Sequence, residues 1–306
     1  MTASAAPFAG TGTPVPPSTV LPMSARTAVF MGVTTVVGLA GFFWPLLASP
    51  TGDAMTAHAG DAPWLFVVLV PLLLAVVVSD VGDGGFDAKS VALLGVLAAC
   101  GAALRLAGTG VSGFEAVFFL LIPAGRVYGR VFGFVLGAVT LFASALLTGG
   151  VGPWLPFQML GAAWIGFGAG CLPRASGRRE IGLLAGYAVV IGLAYGLLLD
   201  LWFWPFAIGS DSGLGFVAGD PVSENLRRFW AFHLATSLGW DIPRAFVNCL
   251  LMVVAGPGVL LALRRAGRRA AFGAAVGFAP AVGDPPPVTD PPAVTDAPAV
   301  TDAPAG

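Results

Sequence analysis

Apolar runs of helix-spanning length alternate with short polar loops along most of this chain. That pattern predicts α-helices that cross a bilayer. Eight spans follow, at residues 26–47, 64–79, 89–106, 114–127, 131–148, 156–172, 181–204 and 242–263. Thr51 to Ala62 forms a polar connection between the first two, so residues 25–80 hold two helices and residues 89–265 a six-helix core. The stretch 205–241 is too polar to cross lipid as one helix and reads as a long outer loop, in which Asn225 to Leu238 forms a helix lying on or dipping into the outer surface. Asp241, two residues before Pro243, reads as the N-cap of the eighth span, with proline in its first turn.

The ends of the chain carry no such pattern. Residues 1–24 are rich in Ala, Pro, Thr and Gly and predict a disordered cytoplasmic leader. Met23 to Arg26 also reads as an alternative start, or as the basic region of a signal peptide ending near Ala48. Residues 273–306 end in VTDPPA, VTDAPA and VTDAPAG, a proline-bearing near-repeat that predicts a disordered cytoplasmic tail. Asp80 to Asp87 carries three aspartates without the spacing of a calcium loop, and reads as a solvated turn.

Charge sets the orientation. With eight spans, Arg26, Lys89, Arg126, Arg130, Arg174, Arg178, Arg179, Arg264, Arg265, Arg268 and Arg269 fall on one side, which the positive-inside rule makes the cytoplasm. Both termini are then cytoplasmic in a multi-pass protein of the cell membrane. A ninth span at 225–238 would put the arginines of 264–269 outside.

Composition agrees: 57% of residues are hydrophobic and 10% charged, against about 25% charged in soluble proteins. The basic residues form no stripe, so nucleic acid is not an expected partner. Cys100, Cys171 and Cys249 sit in apolar runs without metal-ligand spacing and read as small buried hydrophobes. No metal or cofactor is expected. The chain lacks GxxxxGK[ST], HExxH and GxSxG, so it does not read as an enzyme and cannot itself hydrolyse ATP by the usual route; were it an uptake system, the energy would have to come from separate subunits.

The order of pieces from Lys89 to Arg265 resembles a family. An Ala-rich helix ends in Leu104-Arg105-Leu106, and Gly113-Phe114-Glu115 leads into the run Val117 to Leu121. Then come Gly125-Arg126-Val127-Tyr128-Gly129, a Gly-rich helix ending at Leu147, and GGVGPWLPFQML over 149–160. This resembles the substrate-binding S component of energy-coupling factor (ECF) vitamin transporters. The resemblance implies an all-α core of six helices, outer loops that close over a vitamin-like ligand, and a shared membrane coupling subunit with two ABC ATPases as partners. Spans one and two have no counterpart in that core, and the 205–241 connection is longer than usual. The subgroup most resembled is associated with cobalamin-type uptake, with riboflavin, biotin or a thiamin precursor still open.

Seven tryptophans, Trp44, Trp64, Trp154, Trp202, Trp204, Trp230 and Trp240, fall near the outer surface in the eight-span topology, and Trp164 lies within a span. They fit either an interfacial belt or the walls of an outward-facing pocket. The same layer holds Arg105, Glu115, Gln158, Asp200, Asn225, Asp241 and Arg244. Arg105 and Glu115 flank the first outer loop of the core and fit a mutual ion pair or ligand contacts. Gln158, beside Phe157 in the PWLPFQ segment, suits an amide-bearing ligand or an interhelical hydrogen bond. Arg105, Glu115, Trp154, Phe157, Gln158, Trp202, Trp204 and Asn225 are therefore the candidate substrate-binding residues. A lone His233 reads as packing.

On the third span Gly95, Ala99 and Ala103 recur every fourth residue beside a parallel row, Ala98 and Ala102. In the resembled family the matching helix docks on the coupling subunit through such a row, which makes Gly95, Ala99 and Ala103 candidate docking residues; close packing within the chain is the alternative. Two other function classes compete. A membrane transferase would use Asp200, Asp211, Asp220 or Glu224 as an acidic site, but these are dispersed. A stand-alone secondary transporter would need ionisable residues at the midplane, which offers little beyond Asn248.

Overall fold

A computed structural model describes residues 23–47, 54–82, 86–108, 114–208 and 212–270, a range that lies within the first of two compact units, 1–273 and 274–306. The expected tail, and the expected leader apart from Met23 and Ser24, lie outside the described residues, as do the side chains of Trp44, His58 and Trp64. Among the described residues helices are joined by turns and loops and no strand forms: α1 Ala25–Leu47, α2 Ala54–Gly82, α3 Ala88–Ala107, α4 Val117–Tyr128, α5 Arg130–Thr148, α6 Leu155–Cys171, α7 Gly177–Ala207, α8 Val222–Thr236, α9 Leu238–Val254 and α10 Gly256–Ala270.

Helix α4 sits at the centre. Every one of its residues except Arg126 is buried, with α3, α5, α6, α7, α9 and α10 packed around it. At 12 residues it is about 18 Å long and falls short of a bilayer's hydrocarbon thickness. Its first turn starts among buried residues, where water cannot satisfy the free N–H groups. Asn248 of α9, fully buried, does so instead. Its Oδ1 accepts from the Phe119 N–H at 2.7 Å, while its Nδ2 donates to the carbonyls of Glu115 at 2.7 Å and Arg244 at 2.8 Å. The midplane asparagine of the sequence is thus a cap supplied by another helix.

Helices α5 and α6 pack most intimately, because glycines let their backbones touch. A Cβ on Gly133 would strike the Gly166 carbonyl, one on Gly166 would strike Gly133, and one on Gly137 would strike the Ala162 carbonyl. Gly125 of α4 lies against the same Gly166 carbonyl. In lipid, where apolar surface alone does not drive helices together, such backbone proximity supplies dispersion contacts. Gly129, at φ 98°, turns α4 into α5 within a single residue, a conformation that side chains with a Cβ resist.

At the arginine-rich end, Glu180 of α7 holds three pieces together. Arg126 Nε lies 2.9 Å from it and Arg264 Nη2 2.7 Å. Arg126 also donates to the Leu172 carbonyl at 2.9 Å, and Tyr128 Oη to the Leu263 carbonyl at 2.7 Å. The α4 end, the α6–α7 turn, α7 and α10 are fastened there.

Among the described residues four helices are long and apolar enough to cross a membrane (Ala25–Phe43, Ala88–Ala107, Arg130–Thr148 and Gly177–Pro205), or five if α8 and α9, bent by 63° at their junction, act as one span. Large apolar side chains such as Val29, Leu74, Val96, Val190 and Val254 remain exposed, as a lipid-facing surface requires. These features define an α-helical, multi-pass membrane protein.

Several expectations are corrected. The last span is broken, with α9 ending at Val254 and α10 beginning at Gly256, where Gly256-Pro257-Gly258 interrupts helix propagation. Asp241 is not an N-cap: α9 starts at Leu238, and Asp241 already lies within its first turn, where it meets Arg244. Part of the polar connection after the first span, from Ala54, belongs to α2. Cys100 and Cys171 are exposed rather than buried, because they fall on the outer faces of α3 and α6.

Candidate ligand-binding site

The start of α6 and the end of α7 flank an open cavity of about 310 Å³ lined by Trp154, Gln158, Leu199, Asp200, Trp202 and Phe203. Local sequence explains the walls. Gly152 leaves room for the Trp154 ring, which a Cβ there would contact, and the Trp154 indole N–H donates back to the Gly150 carbonyl at 3.2 Å. With its N–H engaged, Trp154 offers the faces of its ring. Trp202 is fixed from behind: it stacks on Phe157 at 4.9 Å, and Phe157 meets Phe42 of α1 edge-on at 4.9 Å. The first helix therefore buttresses the aromatic wall. Trp164 adds a second tie, donating to Thr35 at 3.2 Å.

Among the described residues Gln158 and Asp200 are the polar groups that line the cavity. Arg105, in the last turn of α3, donates to Gln158 Oε1 at 3.1 Å and to Ser144 Oγ at 3.2 Å. A guanidinium only donates, so the amide oxygen of Gln158 faces Arg105 and the NH₂ remains for the cavity. Asp200 comes from the penultimate turns of α7 and is held by His233 of α8, Nδ1 to Oδ2 at 2.7 Å.

Behind Asp200 runs a buried charge network. His233 Nε2 is 3.8 Å from Asp241, and Arg244 Nη1 donates to Asp241 at 2.5 Å. Arg244 Nε pairs with Glu115, its Nη1 also reaches the Gly192 carbonyl at 3.3 Å, and its guanidinium lies 5.5 Å from the Tyr195 ring centre. Gly196 is what admits Asp241 here, since a Cβ on it would overlap the carboxylate. Such paired burial offsets the cost of taking charges out of water.

The candidate residues separate accordingly. Trp154, Gln158 and Trp202 line the cavity, Phe157 supports it, and Arg105 orients Gln158. Glu115, Trp204 and Asn225 are engaged elsewhere. Glu115 does not pair with Arg105: it turns toward α9 and Arg244, while Arg105 points across α5 and α6. Asn225 is buried and clips its own loop, accepting from the Val217 N–H at 3.0 Å and donating to the Val217 carbonyl at 2.8 Å. Trp204 is fully buried and donates to the Leu214 carbonyl at 2.7 Å. These two pin the 212–221 loop to α7 and α8. Trp230 and Trp240 are about half exposed, at 49% and 53%.

His233, read as packing, does pack, buried against Phe229 and Trp230, and its Nδ1 also meets Asp200. No spacing rule reveals a partner 33 residues away on another helix. On α3, the two small-residue rows part company. Ala98 and Ala102 are buried, while Gly95, Ala99 and Ala103 are exposed, and a Cβ on Gly95 would meet nothing.

Fold and site together define a helical membrane protein with an aromatic-walled cavity that carries polar groups at the end of the bundle remote from the Glu180 cluster; a larger, less polar cavity of about 410 Å³ lies between α1, α5 and α6 at Met31, Phe134, Trp164 and Phe167. No protein-family model matches the chain, and neither a curated protein nor a solved structure matches it.

Proposed function

We propose that this chain is the substrate-capturing membrane subunit of an ECF-type importer, which binds a vitamin-like solute at the outer face and depends on a coupling subunit and two ATPases for energy. The observation that carries the reading is the cavity at Trp154, Gln158 and Trp202, which falls within the segment that resembles the family and at the end expected to face outward. Its composition, aromatic walls with two polar groups, suits a small organic ligand. Eight crossings with both ends in the cytoplasm remain part of this proposal, with α4 and α6 as short crossings inside the bundle. So does docking of the coupling subunit on the exposed Gly95, Ala99 and Ala103 row.

At about 310 Å³ the cavity lies at the small end of ligand sites. It accommodates a one- or two-ring vitamin better than a corrinoid, which is several times larger.

The test is capture by the purified full-length chain in detergent, without ATP or added metal. A vitamin that raises the unfolding temperature and quenches tryptophan fluorescence, together with copurification of two ATPases and a coupling protein, supports the reading. Turnover of a lipid-linked substrate, or accumulation of solute by the chain alone in vesicles, overturns it.

A further inference from the structure

The cavity's chemistry narrows its ligand further. Among the described lining residues Asp200 is the charged one, facing rings from Trp154, Trp202 and Phe203. Aromatic faces attract cations, and an ionised carboxylate strengthens hydrogen bonds from a cationic donor. Arg105 is close by, but its guanidinium is spent on Gln158 and Ser144 and is not part of the wall. Its effect on the cavity is indirect: it turns the Gln158 NH₂ inward as a donor. His233 fixes Asp200 from the opposite side, so the carboxylate is held in place rather than free to swing into solvent.

We infer that the site selects a flat, nitrogen-bearing ring whose edge carries a cationic or N–H-donating group toward Asp200 and an acceptor toward Gln158. An anionic edge is rejected, because it would face a carboxylate across a cavity with apolar walls, where repulsion is poorly screened. The inference rests on the proposed ligand-binding role of this cavity, but not on the identity of the energising subunits.

Three probes of nearly equal shape test it: benzamidinium, benzamide and benzoate. Each is titrated into the full-length protein in detergent, with tryptophan quenching and calorimetry as readouts. Benzamidinium is expected to bind at least about tenfold more tightly than benzoate, with benzamide between them. In Asp200→Asn the cation-to-anion preference should fall to within about threefold. Benzoate binding as well as or better than benzamidinium would overturn the inference and make Arg105 the dominant charge. So would a preference unchanged in Asp200→Asn, or no binding of any probe. The wild-type comparison needs no variant, so a folding defect in Asp200→Asn leaves it intact. Cation preference in a chain that copurifies with no ATPase would sink the importer reading alone; an ATPase partner with benzoate preference would sink this one alone.

Discussion

Replacing Arg244 by Met tests whether the buried charge network supports the fold. The guanidinium side chain is 9% exposed and contacts Glu115, Asp241 and the Gly192 carbonyl; Asp241 is itself 2% exposed. Methionine retains much of the volume and removes the charge, leaving two carboxylates without their cation. Losing one member of a buried pair costs about 3–5 kcal/mol. For a protein of this size that corresponds to a fall of roughly 6–20 °C in apparent unfolding temperature. The assay is thermal unfolding in detergent, followed by tryptophan fluorescence and by size-exclusion chromatography after heating. Arg244→Met combined with Glu115→Gln and Asp241→Asn should recover part of the loss, because the stranded charges are gone. A single variant within about 2 °C of wild type, or a triple variant no better than the single, would refute the reasoning.

Three further outcomes are expected. Gly166→Leu forces a side chain into the Gly133 backbone and should abolish a monodisperse folded species, whereas Gly95→Leu, which faces open space, should leave the unfolding temperature near wild type; gel filtration and thermal scans distinguish them. Asn248→Leu strips the α4 N-terminus of its cap and should cost about 1–3 kcal/mol per group left unsatisfied, with faster amide exchange at Phe119 as the local readout. Glu180→Gln leaves Arg126 and Arg264 sharing a neutral partner and should speed tryptic cleavage at Arg174 and Arg178 without altering probe binding in the remote cavity; unchanged cleavage kinetics would count against the clamp.

Much of the architecture is legible in residue order. Apolar periodicity and polar breaks locate most of the helices, with α3, α5 and α7 bounded to within a few residues. The misreadings cluster where tertiary context overrides a local signal. Asp241 before Pro243 has the signature of a helix start, yet α9 begins earlier because Arg244 and Gly196 give the carboxylate a buried place inside the first turn. Arg105 and Glu115 look like a pair across one short loop, but the ends of α3 and α4 face different neighbours. Asn225 looks available at an outer surface, and its own loop consumes it. Half of the candidate site was reachable: Trp154, Phe157, Gln158 and Trp202 stand out as aromatics and an amide in a predicted outer layer. Asp200 was named in the same layer, but its tie to His233 was not legible, because it spans two helices.

Sequence by itself determined that this chain is apolar enough to enter a membrane and that its described structure is helical, because hydropathy acts through the solvent each residue must face. Tertiary structure alone decided which small-residue row is buried, which aromatic rings wall a cavity, and which carboxylate meets which cation. Those outcomes depend on the rotation and crossing of whole helices, set by backbone contacts such as Gly133 on Gly166, and such contacts join positions that no local pattern relates.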